Sequence, residues 1–171
     1  MKRASMNVKI IYVLLIAGLA VSSCKKDSNT VTLEGGTWTA GTPTFTTMVG
    51  TRTLTQYYTD VMGWTAAQAL QSTTIVNLTI MQLFTGTIQF KSDGTYTTNL
   101  GGTTDSGTWS LSADGKKLTI DSNTDDPITA DITELTSNKL TVTLTEIVDE
   151  DLNSDGTPEN ITVNVTIPFT R

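Results

Sequence analysis

The chain has 171 residues, 17 acidic and 11 basic side chains, and no histidine, for a net charge of −6. Without histidine, the commonest general base and metal ligand is missing, and Ser-His or Cys-His nucleophile pairs are excluded. A single cysteine, Cys24, excludes an intramolecular disulfide, and the acidic balance disfavours nucleic acid and anionic lipid head groups as partners.

Residues 1–23 have the features of an export signal. Lys2, Arg3 and Lys9 precede an apolar run, Ile10 to Val21, that is too short for a stable membrane span. The run ends in Val21-Ser22-Ser23-Cys24, which resembles the lipobox of bacterial lipoproteins. That resemblance implies cleavage before Cys24 and lipid attachment to it. Removing residues 1–23 leaves 148 residues with 8 basic and 17 acidic groups, a net of −9, enough for one domain with one core. Residues 24–32 read as a polar tether. Lys25-Lys26-Asp27 resembles the charged leader of Gram-negative outer-membrane lipoproteins, which places the expected domain, 33–171, lipid-anchored at the outer membrane on an unassigned face.

A first strand is expected over about Gly36 to Thr47, anchored by Trp38, with Pro43 marking an edge, a bend or a break. A helical insert follows over about 53–84. Leu54, Tyr57, Tyr58, Val61 and Met62 recur at helical spacing, and Thr65 with Gln68 has the pattern of a capping box. From Thr73 to Phe84 two patterns compete. Val76, Ile80, Leu83 and Phe84 form a helical stripe, but β-branched residues and the alternation Val76, Leu78, Ile80 suit a strand. The expectation is one helix from about Thr65 to Leu83, its apolar stripe buried against a sheet.

From Gly86 to Ile120 the sequence repeats itself. Gly86-Thr87-Ile88 matches Gly107-Thr108-Trp109, Phe90 matches Leu111, and Asp93-Gly94 matches Asp114-Gly115. Asp-Gly between alternating runs predicts hairpin turns with positive φ. Alternation continues through Ile128 to Ile132, Leu140 to Leu144 and Ile161 to Phe169, with threonine at most intervening positions. One apolar and one threonine-rich face per strand predicts an antiparallel sheet buried on one side. About eight such strands in a meander can close into a barrel and remove both edges.

Gly36, Trp38, the helical insert, Phe90-x-x-Asp93-Gly94-x-Tyr96 and Gly107-Thr108-Trp109-Ser110-Leu111 together resemble the lipocalin-like domains of bacterial lipoproteins. The resemblance covers roughly 33–170. It implies a small up-and-down barrel that holds an apolar molecule, with Trp38, Phe90, Tyr96 and Trp109 either lining or filling the interior. It also implies a basic residue late in the chain packed over Trp38, which the sequence alone does not assign.

One further motif stands out. Asp151, Asn153 and Asp155 alternate, Gly156 follows, and Thr157 and Glu159 complete a pattern similar to short calcium loops between strands of exported proteins. The same residues suit a solvated hairpin tip. The expected function is non-enzymatic: binding or carriage of a small apolar ligand. The alternative is a surface interaction module for a protein or glycan, stiffened by calcium.

Overall fold

The structure is a computed structural model that describes residues 32–171, so the signal segment, Cys24 and most of the tether lie outside the described residues. The first apolar run forms two strands, β1 (Thr37–Ala40) and β2 (Thr44–Val49), broken at Gly41-Thr42-Pro43. Both lie antiparallel along the same edge of a long later strand. Ala40 opposes Phe169 and Thr44 opposes Thr166, so the first run carries one extra residue across the break. Pro43 sits in that bulge, where its missing N–H leaves no gap in the ladder. A two-residue strand, β3 (Arg52–Thr53), folds back on β2.

The insert forms two helices, α1 (Leu54–Asp60) and α2 (Ala66–Leu83). Each opens with a full capping box, Thr53 with Gln56 and Thr65 with Gln68. The Thr73–Phe84 ambiguity resolves to helix. There the Thr74 and Thr79 hydroxyls donate to the carbonyls of Leu70 and Ile75, so threonine finds partners without leaving the helix. α1 buries Leu54, Tyr57 and Tyr58 together with Val49 and Ala69. Trp64 stacks on Tyr58 with ring centroids 4.6 Å apart.

The expected burial of the stripe Val76, Ile80, Leu83 and Phe84 against a sheet is met only at its end: Phe84 packs on the barrel core, Val76 and Ile80 are half-buried, and Leu83 is exposed. α2 buries only Ala69 and leaves Leu70, Ile75, Leu78 and Leu83 more than half exposed (62, 58, 54 and 58 %). It packs instead on α1, through Ala69 and Val76. Among the described residues no helix is long and apolar enough to cross a membrane.

Seven strands follow: β4 (Thr87–Phe90), β5 (Thr95–Thr98), β6 (Asp105–Leu111), β7 (Lys117–Ser122), β8 (Ile128–Leu135), β9 (Lys139–Glu150) and β10 (Glu159–Thr170). Each pairs antiparallel with the next. β1 pairs with β4 on one side and β10 on the other. The result is a closed, lipocalin-like, eight-stranded antiparallel barrel of β1 and β4–β10, with β2–β3 as a flap on the outer half of β10.

The two Asp-Gly turns differ from the expectation in one respect. Gly94 and Gly115 have φ of 81° and 69°, but neither aspartate has positive φ. Each aspartate acts through its carboxylate instead. Asp93 accepts from the Thr95 amide and hydroxyl, and Asp114 from the Ser112 hydroxyl and Lys116 amide. These bonds hold the strand exit beside the glycine.

Along each strand alternate residues point inward, and Ile88, Phe90, Leu118, Leu140, Val142, Val165, Ile167 and Phe169 form a buried interior. One end carries the short β4–β5, β6–β7 and β8–β9 turns and is closed by Leu33 and Trp38, both fully buried. The other end carries the β5–β6 and β7–β8 connections and the C-terminal end of α2. Beyond it the β9–β10 hairpin extends with Ile147 and Val148 exposed.

Candidate functional site

The strands leave a cavity of about 130 Å³ inside the barrel. Its walls are apolar throughout: Ile88 and Phe90 from β4, Leu118 and Ile120 from β7, Ala130 from β8, Leu140 and Val142 from β9, and Ile167 and Phe169 from β10 among them. The small Ala130, buried among larger side chains, leaves part of this space open. Phe84, just after α2, and Leu100, in the β5–β6 connection, line the side nearer the open end.

Toward that end a second recess of about 160 Å³ adjoins the first through four shared residues, Ile88, Leu100, Ile120 and Ile128. Its surface is still largely apolar, but it adds polar side chains that the first lacks: Tyr96, Thr98, Asp105, Ser122, Asp125 and Asp126. The Tyr96 hydroxyl donates to Asp105 Oδ2 at 2.5 Å, and the Ser122 hydroxyl donates to Asp105 Oδ1 at 3.0 Å. Register explains the cluster: Tyr96 and Ser122 both pair with Gly107, two residues along β6 from Asp105 on the same face. Burial, then the bond to Asp105, pushes the Tyr96 phenol up to about 12. That same bond holds the Asp105 carboxyl below its ordinary value.

The four aromatic residues singled out in the sequence divide into two pairs. Phe90 lines the inner cavity and Tyr96 the outer recess. Trp38 and Trp109 line neither and belong to the closed end. The Trp38 indole N–H donates to the Leu33 carbonyl at 2.7 Å, and the Trp109 indole N–H donates to the Lys91 carbonyl at 3.1 Å. Trp109 also meets Phe90 edge to face at 5.3 Å, so it backs the cavity wall. Sequence reasoning missed Asp105 and Ser122, which lay in stretches read as a loose loop and the start of an acidic connector. A usable signal existed in their strand positions relative to Tyr96.

The candidate calcium residues lie in the loop between β9 and β10. Asp151 and Asn153 both accept from the Asp155 amide, at 3.1 and 2.9 Å, and Asp151 also accepts from the Gly156 amide. Asp155 accepts from the Thr157 amide at 2.8 Å. Glu159 accepts from the Tyr57 hydroxyl and, at 2.8 Å, from the Leu152 amide. The loop oxygens are therefore engaged by the protein's own donors. Among the described residues no three acidic, cysteine or histidine side chains are gathered as a metal-holding group. Cys24 lies outside the described residues.

No family model matches the chain, and no curated protein matches it. Among solved structures, a DUF4847 family protein from Bacteroides vulgatus is similar, at 17% identity, covering 81% of this chain and 93% of its own, with a TM-score of 0.39. A likeness of that degree carries no inference about function.

Proposed function

We propose that the chain is a lipid-anchored, non-catalytic binding protein of the outer membrane that holds a small apolar molecule inside its barrel. The observation that carries the binding reading is the all-apolar interior cavity of about 130 Å³. A cavity walled by aliphatic and aromatic groups offers water no hydrogen bonds, so it tends to stay dry, and an apolar guest gains dispersion contacts there. Its size suits a single ring or a short chain, since an engineered apolar cavity of about 150 Å³ accepts benzene. The walls present no acid, base or nucleophile to a guest, which supports holding over reacting. The anchor reading rests on Cys24 and the run before it. Native mass spectrometry of protein purified from its host tests the binding reading. A bound small mass supports it. An empty protein that also fails to take up added small apolar probes removes it.

A second reading rests on the sequence spacing of Asp151, Asn153, Asp155, Gly156, Thr157 and Glu159. In it, calcium displaces the loop's own amide bonds to Asp151, Asn153 and Asp155 and stiffens the β9–β10 hairpin as a surface module for a protein or glycan. Calorimetry with calcium tests it. Heat of binding, with a melting temperature lowered by chelator, supports it, and the lack of both removes it.

A further inference from the structure

We infer that the ligand is an amphipathic cation, with its apolar body in the barrel cavity and a protonated amine at the mouth beside Asp105. This inference rests on the cavity reading above and adds the chemistry of the head group.

The first observation is that two adjoining, mainly apolar spaces differ in the carboxylates found only at the outer one. The inner cavity is apolar throughout, and the outer recess brings in three carboxylates, Asp105, Asp125 and Asp126. Among the described residues lining either space, none is basic. A guest longer than the inner cavity extends into this recess and brings its outer end beside these carboxylates.

The second observation concerns donors and acceptors. The hydroxyls that could greet a head group are already committed. Tyr96 and Ser122 both donate to Asp105. Ser122 in turn accepts from the amides of Thr124 and Asp125. An anionic or purely accepting head therefore meets carboxylates and spent donors. A donating head meets acceptors, because each carboxylate oxygen can accept more than one hydrogen bond. Asp105 already accepts one bond at each oxygen and retains room for another.

The third observation is the state of Asp105. Two hydroxyl donors hold it, and it stays ionised at neutral pH. It opens β6 at the barrel rim and is half-buried, so its field acts partly through protein and partly through water. At the rim an ammonium keeps part of its hydration and avoids the cost of full burial.

The experiment is a calorimetric titration at pH 7 and low salt with three probes of one length: hexylammonium, 1-hexanol and hexanoate. The expected order is hexylammonium tightest and hexanoate weakest, with at least about tenfold between the extremes, the scale of one close charge pair at a rim. Asp105→Asn should cut the preference for hexylammonium over 1-hexanol to under about threefold while 1-hexanol still binds, since the neutral amide removes the field and keeps the shape. Asp125→Asn with Asp126→Asn, on exposed positions, should reduce the same ratio without touching the Tyr96 bond. Binding of 1-hexanol with no preference for the ammonium would overturn the inference and leave the cavity reading standing. Failure of all three probes to bind would overturn both.

Discussion

The guanidinium of Arg171 lies 4.3 Å above the indole ring of Trp38, and both side chains donate to the carbonyl of Leu33. Arg171 also donates to the carbonyls of Thr32, Glu34 and Ser137. One planar cation thus ties the segment before β1 to the β8–β9 turn and seals the closed end of the barrel. This is the basic partner that the lipocalin-like pattern implies for Trp38.

Arg171→Ala should therefore lower stability by about 2–3 kcal/mol, the combined scale of a cation–π contact and several charge-assisted hydrogen bonds. Arg171→Lys should recover less than half, because an ammonium cannot reproduce the fork that reaches four carbonyls and the ring face. Urea unfolding checks both. The midpoint should fall while the slope stays constant.

Gly107 is held by close approach. A Cβ placed there would come within 2.0 Å of the Asp121 carbonyl oxygen, on the neighbouring strand β7. Neither backbone can retreat without breaking the β6–β7 ladder. Gly107→Ala should cost about 3 kcal/mol, the upper range for overpacking, and should expose the interior to a hydrophobic dye. Gly115→Ala meets no atom within 4 Å and carries only the penalty of its positive φ, so it should cost about 1 kcal/mol.

The Tyr96–Asp105 pair gives stability a pH signature. The folded pKa of Asp105 is lowered, so its contribution is present above the ordinary carboxyl value and is lost as pH falls through the folded one. Asp93 and Asp114, lowered by their turn hydrogen bonds, act in the same direction. Tyr96 is raised to about 12, so its contribution is full below the ordinary phenol value and fades as pH rises toward 12. Melting temperature should be flat between these limits and fall on both sides. Asp105→Asn should shallow both limbs.

α2 should be the least protected element of the insert and barrel. It buries only Ala69 and is held mainly by α1 and its cap. Hydrogen exchange of its amides should be faster than that of β9 and β10. Thr65→Ala, which removes the capping oxygen, should speed it further at a cost of about 1 kcal/mol.

Much of this architecture is legible in the residues. Thr65 and Gln68 mark the start of α2, Pro43 marks the break between β1 and β2, and alternation from Ile161 to Phe169 lies within β10. The partner of Trp38 is not assigned by any local pattern, and strand alternation only narrows the choice. Arg171 stands two residues past Phe169, on the same face of the chain. Other features depend on three-dimensional volume. Whether Phe90 lines a space or fills it turns on the size of its neighbours across the barrel, Ala130 above all, and no local pattern fixes that. Of the α2 stripe, Phe84 reaches the barrel core while Leu83 stays exposed, a division set by where the helix ends over the barrel and not by spacing. The outer half of β9 escaped notice because Glu146, Asp149 and Glu150 interrupt its alternation.

The interior cavity is the centre of this account, and titration with benzene of the natural chain and Ala130→Leu, followed by methyl NMR, tests it most directly. Ala130 lines the space, and a leucine side chain there would occupy much of it. Saturable shifts of the cavity methyls of Leu118, Val142 and Ile167 are expected in the natural chain and not in Ala130→Leu, with both proteins folded. Equal shifts in both, or none in the natural chain, would contradict a cavity built to receive an apolar guest.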